Sequence, residues 1–182
     1  MTDAQRTFDH VLRRAIEEVR PAFIAEEDSE EALVIRQRTS IAKSLADEHR
    51  IEHRFCDPTP AQREAMNYKD GQTLIFELLY HNRDERLEPE LKVKGRAIEI
   101  VRYFPVREQF WLERLNGLYP SEGIFVCGDA HIENFGRLLE SKGIGHRVVQ
   151  RGIGLTQEDI TRINARRYNN IRTGRSVHKG AS

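Results

Sequence analysis

A four-residue run without a polar side chain, Ala22-Phe23-Ile24-Ala25, stands between an amphipathic stretch and the three acids Glu26, Glu27 and Asp28. Such a run reads as a strand buried on both faces, and a sheet buries a strand that way when helices cover it above and below. No uninterrupted apolar stretch in the 182 residues exceeds four. A membrane helix needs about 20, so a membrane-spanning protein is not expected.

The neighbouring segments repeat the same logic. From Asp3 to Arg20 the apolar positions Phe8, Val11, Leu12, Ala15, Ile16 and Val19 recur every three or four residues, the spacing of one helix face. Pro21 ends that helix. Ser29 followed by Glu30 and Glu31 is a helix start, and Leu33, Ile41, Leu45 and Ala46 carry the pattern to about Arg50. His53 to Cys56 reads as a second strand, stopped by Asp57-Pro58. Pro60 to Met66 suggests a helical turn and Gln72 to Tyr80 a short helix. Leu87 to Leu115 forms a long helical pattern that Pro105 should kink or divide. Gly123 to Gly128 reads as the third strand, His131 to Lys142 as a helix closed by Gly143, and His146 to Gln150 as a fourth strand. Alternating helix and strand predict an α/β fold of three layers, with a mainly parallel sheet of about four strands and helices on both faces. The sequence shows no internal repeat.

Charge divides the chain in two. No acid follows Asp159, whereas Arg162, Arg166, Arg167, Arg172, Arg175 and Lys179 do, so a formal net charge of zero conceals an acidic body and a basic end. Residues 1–155 are therefore expected to form the α/β domain and 156–182 a flexible basic tail. The tail's single aromatic, Tyr168, and its lack of a reading motif argue against nucleic acid as the main partner. Cys56 and Cys127 lack CxxC spacing, which excludes a disulfide framework or zinc ribbon and predicts a cytoplasmic protein.

Open α/β sheets bind ligands beyond the carboxyl ends of their strands. There this chain offers Glu26, Glu27 and Asp28, then Cys56 and Asp57, then Gly128-Asp129-Ala130-His131. Carboxylate, thiol and imidazole are the ligand types for a transition metal and the groups of general acid–base catalysis. Gly128 permits a tight turn, Asp129 or free amides cap the following helix, and the positive helix end favours a neutral His131. Each residue also has a plainer reading. Asp129 serves as an N-cap and His131 as a surface residue, Glu26 and Glu27 lie in a solvated loop, Asp57 forms a turn before Pro58, and both cysteines are small buried strand residues. Trp111 fits the core stripe. Arg107 either reaches across the crevice to a carboxylate or anion or is one exposed helix charge among many. No Gly-rich phosphate loop and no Gly-x-Ser-x-Gly elbow is present.

The stretch from Arg107 through Gly128-Asp129-Ala130-His131 to Leu138-Leu139 and Gly143 resembles the C-terminal half of the TraB/Tiki-like proteins, within the erythromycin-esterase and ChaN-like group. Phe23-Ile24-Ala25-Glu26-Glu27 is similar to the group's strand ending in glutamate, and Phe55-Cys56-Asp57-Pro58 to a segment of small bacterial members. The resemblance implies a metal-dependent hydrolase site, with His131 as the GxxH ligand, Glu26 (or Glu27) as ligand or base, and Arg107 as a clamp. The implied cofactor is a divalent metal ion. The group's opening strand, which ends in another GxxH, has no counterpart here, so the implied site is expected to be incomplete.

Three functions follow as expectations. The first is a hydrolase-like domain working through Glu26, Arg107 and His131. The second is a non-catalytic module of the same fold, binding a small molecule, a peptide or another copy of itself. In that form Arg107 and the helix end after Gly128 would hold an anion. The third is nucleic-acid association through the tail.

Overall fold

The structure, a computed structural model, describes residues 2–81 and 88–153. The expected basic tail at 156–182, with a short helix after Thr156, lies outside the described residues. The described elements run α1 (Asp3–Val19), β1 (Phe23–Glu26), α2 (Glu30–Ile35), α3 (Ile41–His49), β2 (Glu52–Phe55), α4 (Pro60–Ala65), α5 (Gly71–His81), α6 (Glu88–Ile98), a π-helical turn (Glu99–Tyr103), α7 (Phe104–Arg114), β3 (Gly123–Val126) and α8 (Ile132–Ser141).

The three strands are parallel and lie in the order β2-β1-β3. Phe23 stands opposite Glu52 and Gly123, and Glu26 opposite Phe55 and Val126. Every residue of β1 is buried, as the uncharged run before Glu26 requires. Successive side chains alternate between faces. Ile24, with Ile124 and Val126, packs against Leu12 and Ile16 of α1 and Ala42, Leu45 and Ala46 of α3. Phe23 and Ala25 pack on the other face with Trp111 and Leu112 of α7 and Phe135 of α8. This is the expected three-layer α/β arrangement. The Phe23 ring lies across Gly123, where any side chain would collide with it.

Among the described residues the sheet has three strands rather than about four. His146 to Gln150 forms no strand. His146 instead sits against Gly136 of α8, and Arg151 pairs with Glu133 at 2.6 Å. Val148 and Val149 stay exposed. This segment has only two adjacent apolar residues, too few to fill both faces of an interior strand. Two long helical patterns are also divided. The one expected from Ser29 to Arg50 breaks at Gln37, whose φ is 52°, and restarts at Ser40, whose hydroxyl accepts from Lys43 N. The one from Leu87 to Leu115 deforms at the π-helical turn, and Pro105 falls in the first turn of α7, where a missing N–H is harmless.

A repeat invisible in residue identity emerges in the backbone. Ser29 and Thr59 cap α2 and α4, Gln37 and Asn67 adopt positive φ, and Ser40 and Asp70 cap α3 and α5. Each pair lies 30 positions apart. The closing hydrogen bonds match as well: Arg38 N to Leu33 O in one unit, Tyr68 N to Arg63 O in the other. A strand, a short capped helix, a left-handed residue and a second capped helix thus occur twice. Among the described residues, no helix is long and apolar enough to cross a membrane.

Candidate functional site

With the strand order β2-β1-β3, the chain leaves β1 toward one side and later returns on the other. The crevice between the ends of β1 and β3 is the place where such sheets hold ligands. Glu27 comes from the first end, and Gly128 and His131 from the second. Helix α7 lies over them and contributes Arg107 and Glu108 one turn after Phe104.

His131 is buried at 3% exposure. Its Nδ1 lies 2.8 Å from Oε1 of Glu108, itself 2% exposed. An ionised carboxylate only accepts, so Nδ1 carries a proton, and in the neutral imidazole Nε2 keeps its lone pair. The guanidinium of Arg107, which only donates, stands 3.5 Å from Nε2 and fits that assignment. Phe104 stacks on the imidazole with ring centroids 3.7 Å apart, and Trp111 meets it edge-on at 4.7 Å. The ring is therefore fixed by two aromatic walls and one carboxylate.

Arg107 is held by two more carboxylates. Its Nη1 lies 2.8 Å from Glu27 Oε1, and its Nε donates to Asp57 Oδ1. Burial works against the guanidinium charge, but the Asp57 hydrogen bond and the charges of Glu27 and Asp57 outweigh it and hold the Arg107 pKa above its ordinary value. Asp57 also accepts from Trp111 Nε1 at 3.0 Å and from Arg63. Burial pushes the Asp57 carboxyl up, yet Arg107, Arg63 and the indole N–H together bring it below the usual carboxylate range. Glu27 completes the ring of contacts. Its Oε2 accepts from Gly128 N at 2.6 Å, and its Oε1 is 3.6 Å from His131 Nε2.

The structure brings together Arg107 and His131 but not Glu26. Adjacent residues of a strand point to opposite faces, and Glu26 turns toward α3. There its Oε1 accepts from Ser40 Oγ at 2.5 Å and lies 2.8 Å from His53 Nε2. Glu27 takes the place in the crevice. Asp57, Glu108 and Trp111 join the site as well, although the sequence reading gave them plainer roles or none. One signal was available: Phe104, Glu108, Trp111 and Leu115 share one helical stripe, and a carboxylate inside an apolar stripe demands a partner. Cys56 and Cys127 lie under the site. Burial pushes both thiols up to about 12, so neither is a thiolate at neutral pH.

A divalent metal, implied by the family resemblance, does not fit these side chains as arranged. The Arg107 guanidinium already stands beside Glu27 and His131, so a cation bridging those two would press against a fixed positive charge. Among the described residues no group of three or more His, Cys, Asp and Glu side chains is placed to hold a metal.

Fold and site together define a three-layer α/β protein with a carboxylate-oriented histidine and a braced arginine at the carboxyl edge of a small parallel sheet. No known protein family matches the chain, no curated protein matches its sequence, and no solved structure matches its fold.

Proposed function

We propose that this crevice is a hydrolytic acid–base site that works without a metal. The observation that carries the reading is the buried Glu108–His131 pair, which leaves Nε2 as an oriented base beside the Arg107 guanidinium. A water at Nε2 passes a proton to the imidazole as its oxygen attacks an ester or amide carbonyl. The imidazolium then returns that proton to the leaving group as its bond to carbon breaks. Arg107 stabilises the oxyanion in between. Glu27 and Asp57 fix the guanidinium, and Glu27 also ties it to the turn between β3 and α8 through Gly128. The resemblance to the TraB/Tiki-like group supports the same class of chemistry.

The test is hydrolysis of a panel of nitrophenyl esters and peptide amides by the wild type, His131→Gln and Glu108→Gln, with and without a chelator. General acid–base catalysis contributes about 10²–10⁴-fold. We expect His131→Gln to lose about that factor, Glu108→Gln to lose less, and the chelator to change nothing. Activity that survives His131→Gln would overturn the reading. Activity abolished by the chelator and restored by a divalent ion would replace it with the metal-dependent one.

A further inference from the structure

Arg107 has five N–H donors, and its contacts use only part of that capacity. Nε is taken by Asp57, and Nη1 faces Glu27 and His131. Nη2 makes no hydrogen bond among the described residues, yet no buried side-chain nitrogen or oxygen lacks a partner. Nη2 therefore reaches solvent. The same reasoning applies to Arg63. Its Nε donates to Pro58 O and its Nη2 to Asp57 Oδ2, which leaves Nη1 open. Because the two guanidiniums grip the two oxygens of one carboxylate, they stand side by side.

Tyr68 adds a third free donor. Arg63 lies over its ring, 5.3 Å from the centroid, and Tyr103 packs against the ring edge-on. Its half-buried hydroxyl has no hydrogen-bond partner among the described residues. The ring lies under the guanidinium that grips Asp57, so Tyr68 belongs to the same group of side chains, and burial raises its pKa. Two guanidiniums braced by one carboxylate, and the tyrosine beneath one of them, thus stand together, each with an unused N–H or O–H group. Asp57 and Glu27 neutralise the two cations overall, so any affinity comes from directed donors rather than from net charge.

The geometry points to an oxyanion seat at the mouth of the crevice, formed by Arg107, Arg63 and Tyr68, that receives a phosphate or carboxylate group of the substrate. The seat names the substrate class of the site and rests on the hydrolytic reading only for the word substrate. Asp57 is its positioning residue, since it orients both guanidiniums through separate oxygens.

The experiment is an NMR titration of the full chain, following the Nε–H signals of Arg107 and Arg63, with inorganic phosphate in one arm, acetate in the second and chloride at matched ionic strength in the third. Phosphate or acetate should give saturable shifts that chloride does not reproduce. Tyr68→Phe keeps the packed ring and removes one hydroxyl. It should weaken binding by roughly two- to tenfold, the usual worth of one hydrogen bond. Tighter binding in the phosphate arm assigns a phosphoryl group, and tighter binding in the acetate arm a carboxylate. Shifts that fail to saturate with either anion, or that are unchanged in Tyr68→Phe, overturn the seat. His131→Gln separates the two proposals, because it should abolish hydrolysis while anion binding persists. Binding by a chain that hydrolyses nothing keeps the seat and removes the hydrolytic reading. Hydrolysis by a chain that binds neither anion does the reverse.

Discussion

Glu26 and Glu27 are neighbours in sequence and end up in opposite situations. Each meets an imidazole, Glu26 that of His53 and Glu27 that of His131, on opposite faces of β1. Around Glu26 the partners are a hydroxyl and an imidazole. Ser40 donates to it while capping α3, and His53 closes the cluster, so this group fastens a strand to a helix. Around Glu27 the partners keep capacity in hand. Arg107 retains open N–H groups, and Nε2 of His131 retains a lone pair. The comparison teaches that a carboxylate–histidine contact is not itself the mark of a site. The neighbouring cation, with N–H groups still unengaged, separates a working centre from a fastener.

The largest expected effect falls on the Glu27 side. Asp57→Ala leaves the buried guanidinium of Arg107 without its main brace, and removing one partner of a buried pair costs about 3–5 kcal/mol. Urea denaturation should show that loss. Exchanging each neighbouring glutamate sharpens the contrast. Glu26→Gln weakens a buried fastening and should cost roughly 1–3 kcal/mol with turnover per folded molecule kept. Glu27→Gln should cost less than about 1 kcal/mol, because Asp57 still holds Arg107, but lower hydrolysis at least about tenfold. Equal stability losses with equal activities would dissolve the distinction.

The two backbone units set up a second contrast, in pH. Asp28 and Asp57 follow β1 and β2. Asp57 lies below the ordinary carboxylate range when folded, so it adds stability above about pH 4 that is lost as pH falls through its lower folded value. Asp28 is raised, chiefly by burial, with Arg36 no nearer than 3.9 Å. Its contribution has the opposite sign, present when protonated and lost as pH rises through the raised value. Asp28→Asn should therefore stabilise the protein at neutral pH but not in acid, and melts at about pH 3 and pH 7 should show the gain only at the higher pH. The smallest effect concerns the left-handed residues. Gln37→Gly should gain a few tenths to about 1 kcal/mol, and Asn67→Gly close to nothing, because asparagine tolerates that conformation and glutamine does not. Differential scanning calorimetry resolves the two.

Much of the fold was legible, because its signals are local. β1 as far as Ala25 and β3 are uncharged runs, and the face of α1 repeats every three to four residues. Ser29 and Pro105 mark helix starts, although Pro105 was expected to kink or divide a helix. The parity of β1 was not legible. A strand buried on both faces carries no alternation, so nothing in Ala22 to Ala25 says whether Glu26 or Glu27 enters the crevice. The absence of a fourth strand among the described residues has a local sign in Val148 and Val149, the only adjacent apolar pair between His146 and Gln150 and too few to fill both faces of an interior strand. The repeated unit escaped for a different reason. Its matched positions are caps and a left-handed turn, which different residues fill equally well: Ser or Thr, Gln or Asn, Ser or Asp. The roles of Arg107 and His131 are visible in the sequence as options, but Asp57 reads there as a turn former and Trp111 as core alone. Both are buried, and each also makes a polar contact that spacing could not reveal.

The π-helical turn bears on how this crevice could have arisen. Before it, Leu91, Gly95 and Glu99 mark the inward face at intervals of four. Tyr103, within it, still falls at the interval of four, and after it Phe104, Glu108 and Trp111 carry the face on, displaced by one residue. A wide turn of this kind absorbs one surplus residue without unravelling its flanks. An in-frame loss of one codon between Glu99 and Tyr103 would then leave an ordinary α-helix, with Glu108 still beneath His131. In a lineage of such proteins, chain length could vary at this point while the chemistry above it stayed in place.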